Sequence, residues 1–184
     1  MSKLQLAVSR VQHIDLDWCI RLNQYSSKKQ IALFFKGISR LGDGWFWYVC
    51  LSVVLAVRGL AYAVELAYMA LGTFCGTLLY KFLKRKTVRP RPYQVHQAVV
   101  LGERPLDHFS FPSGHTMHAI LACVLMGYAL PALLWVMVPF TALVALSRVI
   151  LGLHYPTDVL AGAFIGSTLS VAIIYLSPLF HVMI

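Results

Sequence analysis

Charge is scarce in this 184-residue chain: 12% of its residues are Asp, Glu, Lys or Arg, against 59% hydrophobic and a mean hydropathy of +0.70. That balance excludes an ordinary soluble domain, and the length excludes more than one helical bundle. Acidic residues are scarcer still. Seven Asp and Glu face sixteen Lys and Arg, a net charge of +9, and of the basic residues only Arg58 falls between positions 41 and 80. Basic residues gathered outside apolar runs suit anionic headgroups or phosphates, and membrane topology alone also produces them; nucleic acid is not an expected partner. The four cysteines (Cys19, Cys50, Cys75, Cys123) form no CxxC and lie mostly in apolar runs. Neither a metal cluster nor a disulfide framework follows, and packing is their expected role. The first thirty residues also lack the unbroken apolar core of a cleavable signal peptide, being interrupted by Asp15, Asp17 and several basic residues.

What is present is a series of apolar runs. Ile31, Phe34, Phe35 and Ile38 recur at helical spacing among Lys36 and Arg40, which predicts an amphipathic helix at the membrane interface, with none before it. After Gly42-Asp43-Gly44, the aromatic belt Trp45, Trp47 and Tyr48 opens a first short span that closes at Arg58-Gly59. A second span covers about 60–80 and carries Gly72-xxx-Gly76; Glu65 is its one acid and is expected to pair near the Arg58 end. A third covers 116–130, a fourth 132–146 with Pro139 as a kink, and a fifth starts at Pro156 with Gly162-xxx-Gly166 within it. The expected fold class is all-α: a polytopic membrane bundle of about five transmembrane helices, or six, plus the N-terminal interfacial helix. Threading these spans brings the 81–115 loop and the 147–156 turn to one side of the bilayer.

Three polar clusters meet on that side: Lys84-x6-Arg91-Pro92, Pro112-Ser113-Gly114-His115 and Ser147-Arg148-x5-His154-x3-Asp158. Ser113 is placed to cap a helix, leaving backbone N–H groups and the positive end of the helix dipole toward a phosphate, and Gly114 lets an oxyanion approach the backbone. Two guanidinium forks (Arg91, Arg148) and an ammonium (Lys84) supply the positive charge that an in-line phosphoryl transfer needs. The competing reading of such cations is topological, and it takes Lys81, Arg85, Lys86 and Arg89. His-x3-Asp standing alone reads first as a helix-start hydrogen bond. His118 is expected to pack, and Asp107 and His108 to lie in solvent. His115, His154 and Asp158 are an unfavourable zinc set beside three cations, so no metal and no cofactor is expected.

Together the three clusters resemble the signature of the type 2 phosphatidic acid phosphatase (PAP2) superfamily, with every spacing intact from residue 84 to residue 158. The resemblance implies a catalytic set of His154 (nucleophile), Asp158 (orienting His154) and His115 (general acid and base), with Lys84, Arg91, Ser113, Gly114 and Arg148 binding phosphate. It further implies a metal-independent membrane lipid phosphatase, with residues 1–44 as an N-terminal amphipathic segment and 45–184 as the phosphatase domain. Polyprenyl diphosphate, phosphatidylglycerol phosphate, phosphatidic acid and lipid A phosphates are the candidate substrates. The alternatives are a lipid phosphotransferase using the same phosphohistidine and a non-catalytic lipid-binding or transport protein; a vanadium-dependent peroxidase suits the many spans poorly. An integral protein of a bacterial inner membrane is expected. Charge bias places its site on the cytoplasmic side, whereas many relatives act on the other, and oligomeric state is left open.

Overall fold

Contrary to expectation, a helix precedes the amphipathic one. In the computed structural model, which describes residues 3–182, α1 spans Lys3–Asn23. Charges interrupt its apolar positions, so no clean stripe announces it. What α1 buries is a narrow row of Asp15, Cys19 and Asn23, each four residues after the last. α2 (Lys29–Leu41) turns Phe35 and Ser39 inward, and α3 (Trp45–Arg58) follows it at a bend of 48°. Glycines on both sides of Asp43 permit the break, and the Trp47 indole ties it by donating to the Gly42 carbonyl at 2.9 Å. By length and composition α2 and α3 pass as one broken span, where an interfacial helix and a separate short span were expected.

α4 (Ala63–Thr87), the single turn α5 (Pro92–Val95), α6 (Gly114–Ala129), α7 (Leu134–Ile150) and α8 (Pro156–Leu176) complete the fold, and the described residues include no strand. Three segments (Leu60–Val95, Pro131–Ile150 and Pro156–Phe180) are long and apolar enough to cross a bilayer, and the bent pair makes four. α6, among the five expected spans, has 16 residues. At about 1.5 Å per residue it falls short of a hydrocarbon core roughly 30 Å thick. Glu65 finds no ion-pair partner among the described residues; Arg58 instead lies over the Tyr62 ring, 4.6 Å from its centroid. Cys19, Cys50 and Cys123 are buried as expected, while Cys75 is exposed.

Small residues set the spacing of the bundle. A Cβ on Gly162 would collide with the Ser113 carbonyl oxygen, and one on Gly166 would lie 2.6 Å from that of Met117, so α8 closes directly onto the backbone of α6. On α4, a Cβ at Gly72 would reach to 2.6 Å from Ile173 Cδ1 of α8. Both small-residue stripes are therefore contact surfaces. Gly162→Ala forces backbone to move and is expected to cost about 1–3 kcal/mol, read as a lower melting temperature in detergent. Gly37→Ala, with nothing within 4 Å of its Cβ, is the control and should gain about 0.5–1 kcal/mol from helix propensity. Equal melting of the two variants would contradict this account of α6 against α8.

Candidate active site

The start of α6 is built as a cap. The Ser113 hydroxyl accepts from the Thr116 N–H at 3.5 Å and shares a hydrogen bond with Thr116 Oγ1 at 3.0 Å. The Ser113 N–H donates to the Asp158 carbonyl at 3.0 Å, which stitches the start of α6 to the start of α8. Gly114 lies so close to the Tyr80 ring that a Cβ would come 2.7 Å from its Cζ. His115 follows, its Nε2 2.5 Å from Asp43 Oδ1 in the break between α2 and α3. Nothing in the local sequence marks Asp43 beyond its flanking glycines.

The other half of the site hangs between α7 and α8. The turn after Arg148 carries His154, and Pro156 starts α8 so that Asp158 falls in its first turn. His154 and Asp158 are 1% and 0% exposed, so neither is a solvated side chain. Arg91 Nη1 donates toward His154 Nε2 at 3.4 Å. The other ring nitrogen, Nδ1, is buried without a hydrogen-bond partner among the described residues, and Asp158 Oδ2 stands 3.6 Å from it. That separation is too long for a hydrogen bond. Asp158 Oδ2 accepts the Tyr155 N–H instead, at 2.9 Å, so Asp158 is a helix-start acceptor as well as the neighbour of His154. Burial, and after it the charges of Arg91, Arg148 and Lys84, holds the His154 imidazole well below its usual 6.5. The ring is thus neutral at pH 7, with a lone pair on Nε2 turned toward the cations.

Lys84, Arg91 and Arg148 are all buried. Asp107, expected in solvent, bridges the first two: its carboxylate accepts from Lys84 Nζ at 2.8 Å, Arg91 Nη2 at 2.6 Å and Tyr80 OH at 2.7 Å. Burial opposes ionisation of Asp107, but the hydrogen bonds from Lys84 and Tyr80 with the charges of Lys84 and Arg91 prevail and hold it down at about 2. Arg148 donates through Nη1 to Ser39 Oγ of α2 at 2.5 Å, while its Nε is buried and unpaired among the described residues. An unpaired guanidinium N–H beside a cavity suits an anionic oxygen. Arg89, assigned to topology from sequence, instead forms an ion pair with Asp158 at 2.6 Å. His118 does more than pack, since its ring bonds Thr77 Oγ1 and the Gly114 carbonyl.

One cavity of about 880 Å³ unites these groups: Lys84, Arg91, Gly114, His115, Arg148 and His154 line its polar end. Ser113 and Asp158 stand behind that wall. The cavity then continues between α3, α4 and α6 past Leu51, Leu66, Met69 and Leu125. Two imidazoles thus reach one space, His115 from the first turn of α6 and His154 from the turn ahead of α8, the first tethered to a carboxylate and the second with its Nε2 toward Arg91, with three cations around them. That arrangement can take a phosphoryl group on nitrogen and move a proton on the opposite side.

The PAP2 superfamily model matches residues 47–181. The decaprenylphosphoryl-5-phosphoribose phosphatase of Mycobacterium tuberculosis strain H37Rv is 31% identical over 135 residues, covering 72% of this chain and 73% of its own. The undecaprenyl-diphosphatase of Sulfolobus acidocaldarius is 26% identical over 163 residues, 86% of this chain and 75% of its own. Among solved structures, a transmembrane PAP2-type phosphatidylglycerolphosphate phosphatase from Bacillus subtilis superposes with a TM-score of 0.73 at 25% identity, over 95% of this chain and 92% of that one. A match across nearly three quarters of the sequence, enclosing all three clusters whole, settles the matter: the chain belongs to the PAP2 superfamily and is an integral membrane phosphatase.

Proposed function

We propose that this lipid phosphatase removes phosphate from a polyprenyl-linked substrate through a phosphohistidine on His154. The carrying observation is the single cavity that joins a cation-ringed pair of imidazoles to an apolar groove between helices. Phosphate meets Lys84, Arg91 and Arg148 at one end, with the N-terminus of α6 at Ser113 and Gly114 beside it, and a chain of isoprene units lies along α3, α4 and α6. The names of the mycobacterial and archaeal relatives, both acting on polyprenyl carriers, support the choice of tail.

In the first step His154 Nε2 attacks phosphorus, the bond from phosphorus to the leaving oxygen breaks, and His115 delivers a proton to that oxygen. Asp43 holds one nitrogen of His115, which leaves the other for this transfer. Asp158 faces the Nδ1 side of the histidine cation so formed. In the second step His115 takes a proton from water, the resulting hydroxide attacks phosphorus, and the P–N bond breaks to release inorganic phosphate and neutral His154. The cations stabilise the equatorial oxygens in both steps.

A phosphate-release panel tests the substrate class: a decaprenylphosphoryl phosphoribose, undecaprenyl diphosphate, phosphatidylglycerol phosphate, phosphatidic acid and a lipid A 1-phosphate, in mixed micelles with chelator present. A polyprenyl substrate is expected to lead in kcat/KM by at least about tenfold, or ~1.4 kcal/mol of transition-state binding. Preference for a glycerolipid would reject the prenyl assignment, and phosphate passed to a lipid with none released would mean a transferase.

The site is proposed to face the cytoplasm of a bacterial inner membrane. Arg58 is the one basic residue at the far ends of α3 and α4, whereas Lys84, Arg91, Arg104 and Arg148 all lie at the site end, as the positive-inside bias requires. A cysteine placed at Arg104 should resist an impermeant maleimide in intact cells while one at Gly59 reacts. The reverse labelling pattern would put the site outside.

A further inference from the structure

α1 is tied to the turn that carries His154 and to the loop beneath it along its whole buried row. Asn23 Nδ2 donates to the Ile150 and Val100 carbonyls, both at 2.9 Å, and Cys19 Sγ lies 4.0 Å from the His154 carbonyl oxygen. Asp15 makes the most telling contacts. Its Oδ1 accepts the Thr157 N–H at 2.9 Å, and its Oδ2 accepts from Thr157 Oγ1 at 2.5 Å and from Arg89 Nη2 at 2.6 Å. The same guanidinium, through Nη1, reaches Asp158 Oδ1 at 2.6 Å and Thr157 Oγ1 at 2.9 Å, with its plane over the Tyr155 ring 4.0 Å from the centroid. Arg89 itself is fixed from behind, because the Ser110 N–H donates to its carbonyl at 2.8 Å.

We propose that Asp15 and Arg89 are positioning residues for catalysis, setting both the place and the effective charge of Asp158. The reading rests on the phosphohistidine mechanism above. Asp158 is fully buried, and without a cation beside it an ionised carboxylate there would be expensive. A cation devoted to it alone would bring the opposite fault. A tight, exclusive ion pair cancels the carboxylate's field, and nothing would be left to favour positive charge on the His154 ring. Arg89 avoids both faults by being shared. Two carboxylates divide one guanidinium, so the cluster keeps one negative charge in excess, and the Asp158 edge of that cluster faces His154 Nδ1 at 3.6 Å. Asp15 thus acts through Arg89, drawing its charge away from Asp158 when the imidazole becomes cationic. In doing so, α1 becomes part of the catalytic apparatus although none of its described residues lines the cavity.

Asp15→Asn keeps the shape and removes the charge; Arg89→Lys keeps the charge and removes the fork. The test compares each with the unmodified chain in detergent, measuring kcat, KM, the burst of phosphoenzyme in rapid quench, and protection from heat by orthovanadate. Asp15→Asn is expected to lower kcat and the burst rate together by about 10- to 100-fold, with KM and vanadate protection within about threefold, because Lys84, Arg91 and Arg148 are untouched. Arg89→Lys should fall by a similar factor, and the double variant should be no worse than the poorer single one, since both act on one carboxylate. A burst rate within twofold of the unmodified chain, losses that multiply in the double variant, or KM rising in step with a falling kcat would overturn the proposal. Loss of vanadate protection in both single variants would do the same, by showing that the cluster only holds the fold. If the unmodified chain itself shows no phosphoenzyme burst, the phosphohistidine reading fails instead, and the two failures are told apart.

Discussion

Replacing His154 with alanine is expected to abolish phosphate release, by at least about 10⁴-fold, with no incorporation of labelled phosphate into protein. Its Nε2 is the ring nitrogen turned to Arg91, and Asp107, which lies nearer to Arg91, already accepts hydrogen bonds from Lys84, Arg91 and Tyr80. His115→Asn separates the two steps. With a leaving group too acidic to need a proton, that variant should still form the phosphohistidine yet fail to hydrolyse it, so label accumulates on the enzyme. The pH dependence follows from the same surroundings. As the proposed nucleophile His154 must be neutral; burial and the three cations hold its protonation well below 6.5 in the folded protein. Lowering pH from 8 to 6.5 should therefore leave its contribution to kcat/KM intact, and the acid limb should appear only below 6.5. A limb centred at or above 6.5 would mean that the ring is not held as described, and residual turnover of a few per cent in His154→Ala would name a different nucleophile.

The second large effect is expected at Arg148. Arg148→Ala removes a buried guanidinium whose Nη1 is anchored to Ser39 and whose unpaired Nε leaves a directional donor for phosphate. A cation aimed at the transferring phosphoryl group contributes on the order of 10³-fold in kcat/KM. Arg148→Lys should recover little, because a point charge on a flexible stem reaches neither the Ser39 hydroxyl nor a second oxygen together. Ser39→Ala offers the graded case: the guanidinium stays but loses its anchor, and a drop of about 5- to 20-fold is expected, one hydrogen bond to a charged group. Rescue of Arg148→Ala by added guanidinium would support the assignment. An Arg148→Ala enzyme within tenfold of the unmodified chain would remove Arg148 from the phosphate site.

The residues of the three clusters were legible because each is a short block whose spacing is set by one helix end: Ser113 to His115 at the start of α6, Arg148 before the turn, Asp158 in the first turn of α8. Local rules suffice for these. Asp43, Ser39 and Asp15 were not legible, for a physical reason. Each is a single polar residue on an N-terminal helix or break, and its partner lies 72 to 142 positions away. Arg89 was hidden differently. It stands in a run of basic residues that membrane topology already accounts for, and only its two carboxylates set it apart. Asp107 reads as a loop acid until the cations converge on it. α1 itself escaped because it buries one narrow row, polar at two of its three positions, where periodicity arguments look for apolar residues. The bundle as a whole was foreseen from hydropathy, while the run at 116–130 folds into a helix too short to qualify by length.

The contact of Gly162 with the Ser113 carbonyl has a bearing on how such a site can change over time. His115 rides on one of these two helices and His154 precedes the other, so the interval between two helix axes works as a gauge for the whole reaction centre. As long as that gauge is kept by a residue without a side chain, the groove-lining residues of α3 and α4 are free to drift with the hydrocarbon tail proposed to lie there. Divergence in cargo can then proceed at one end of the cavity while the bond-breaking end stands still.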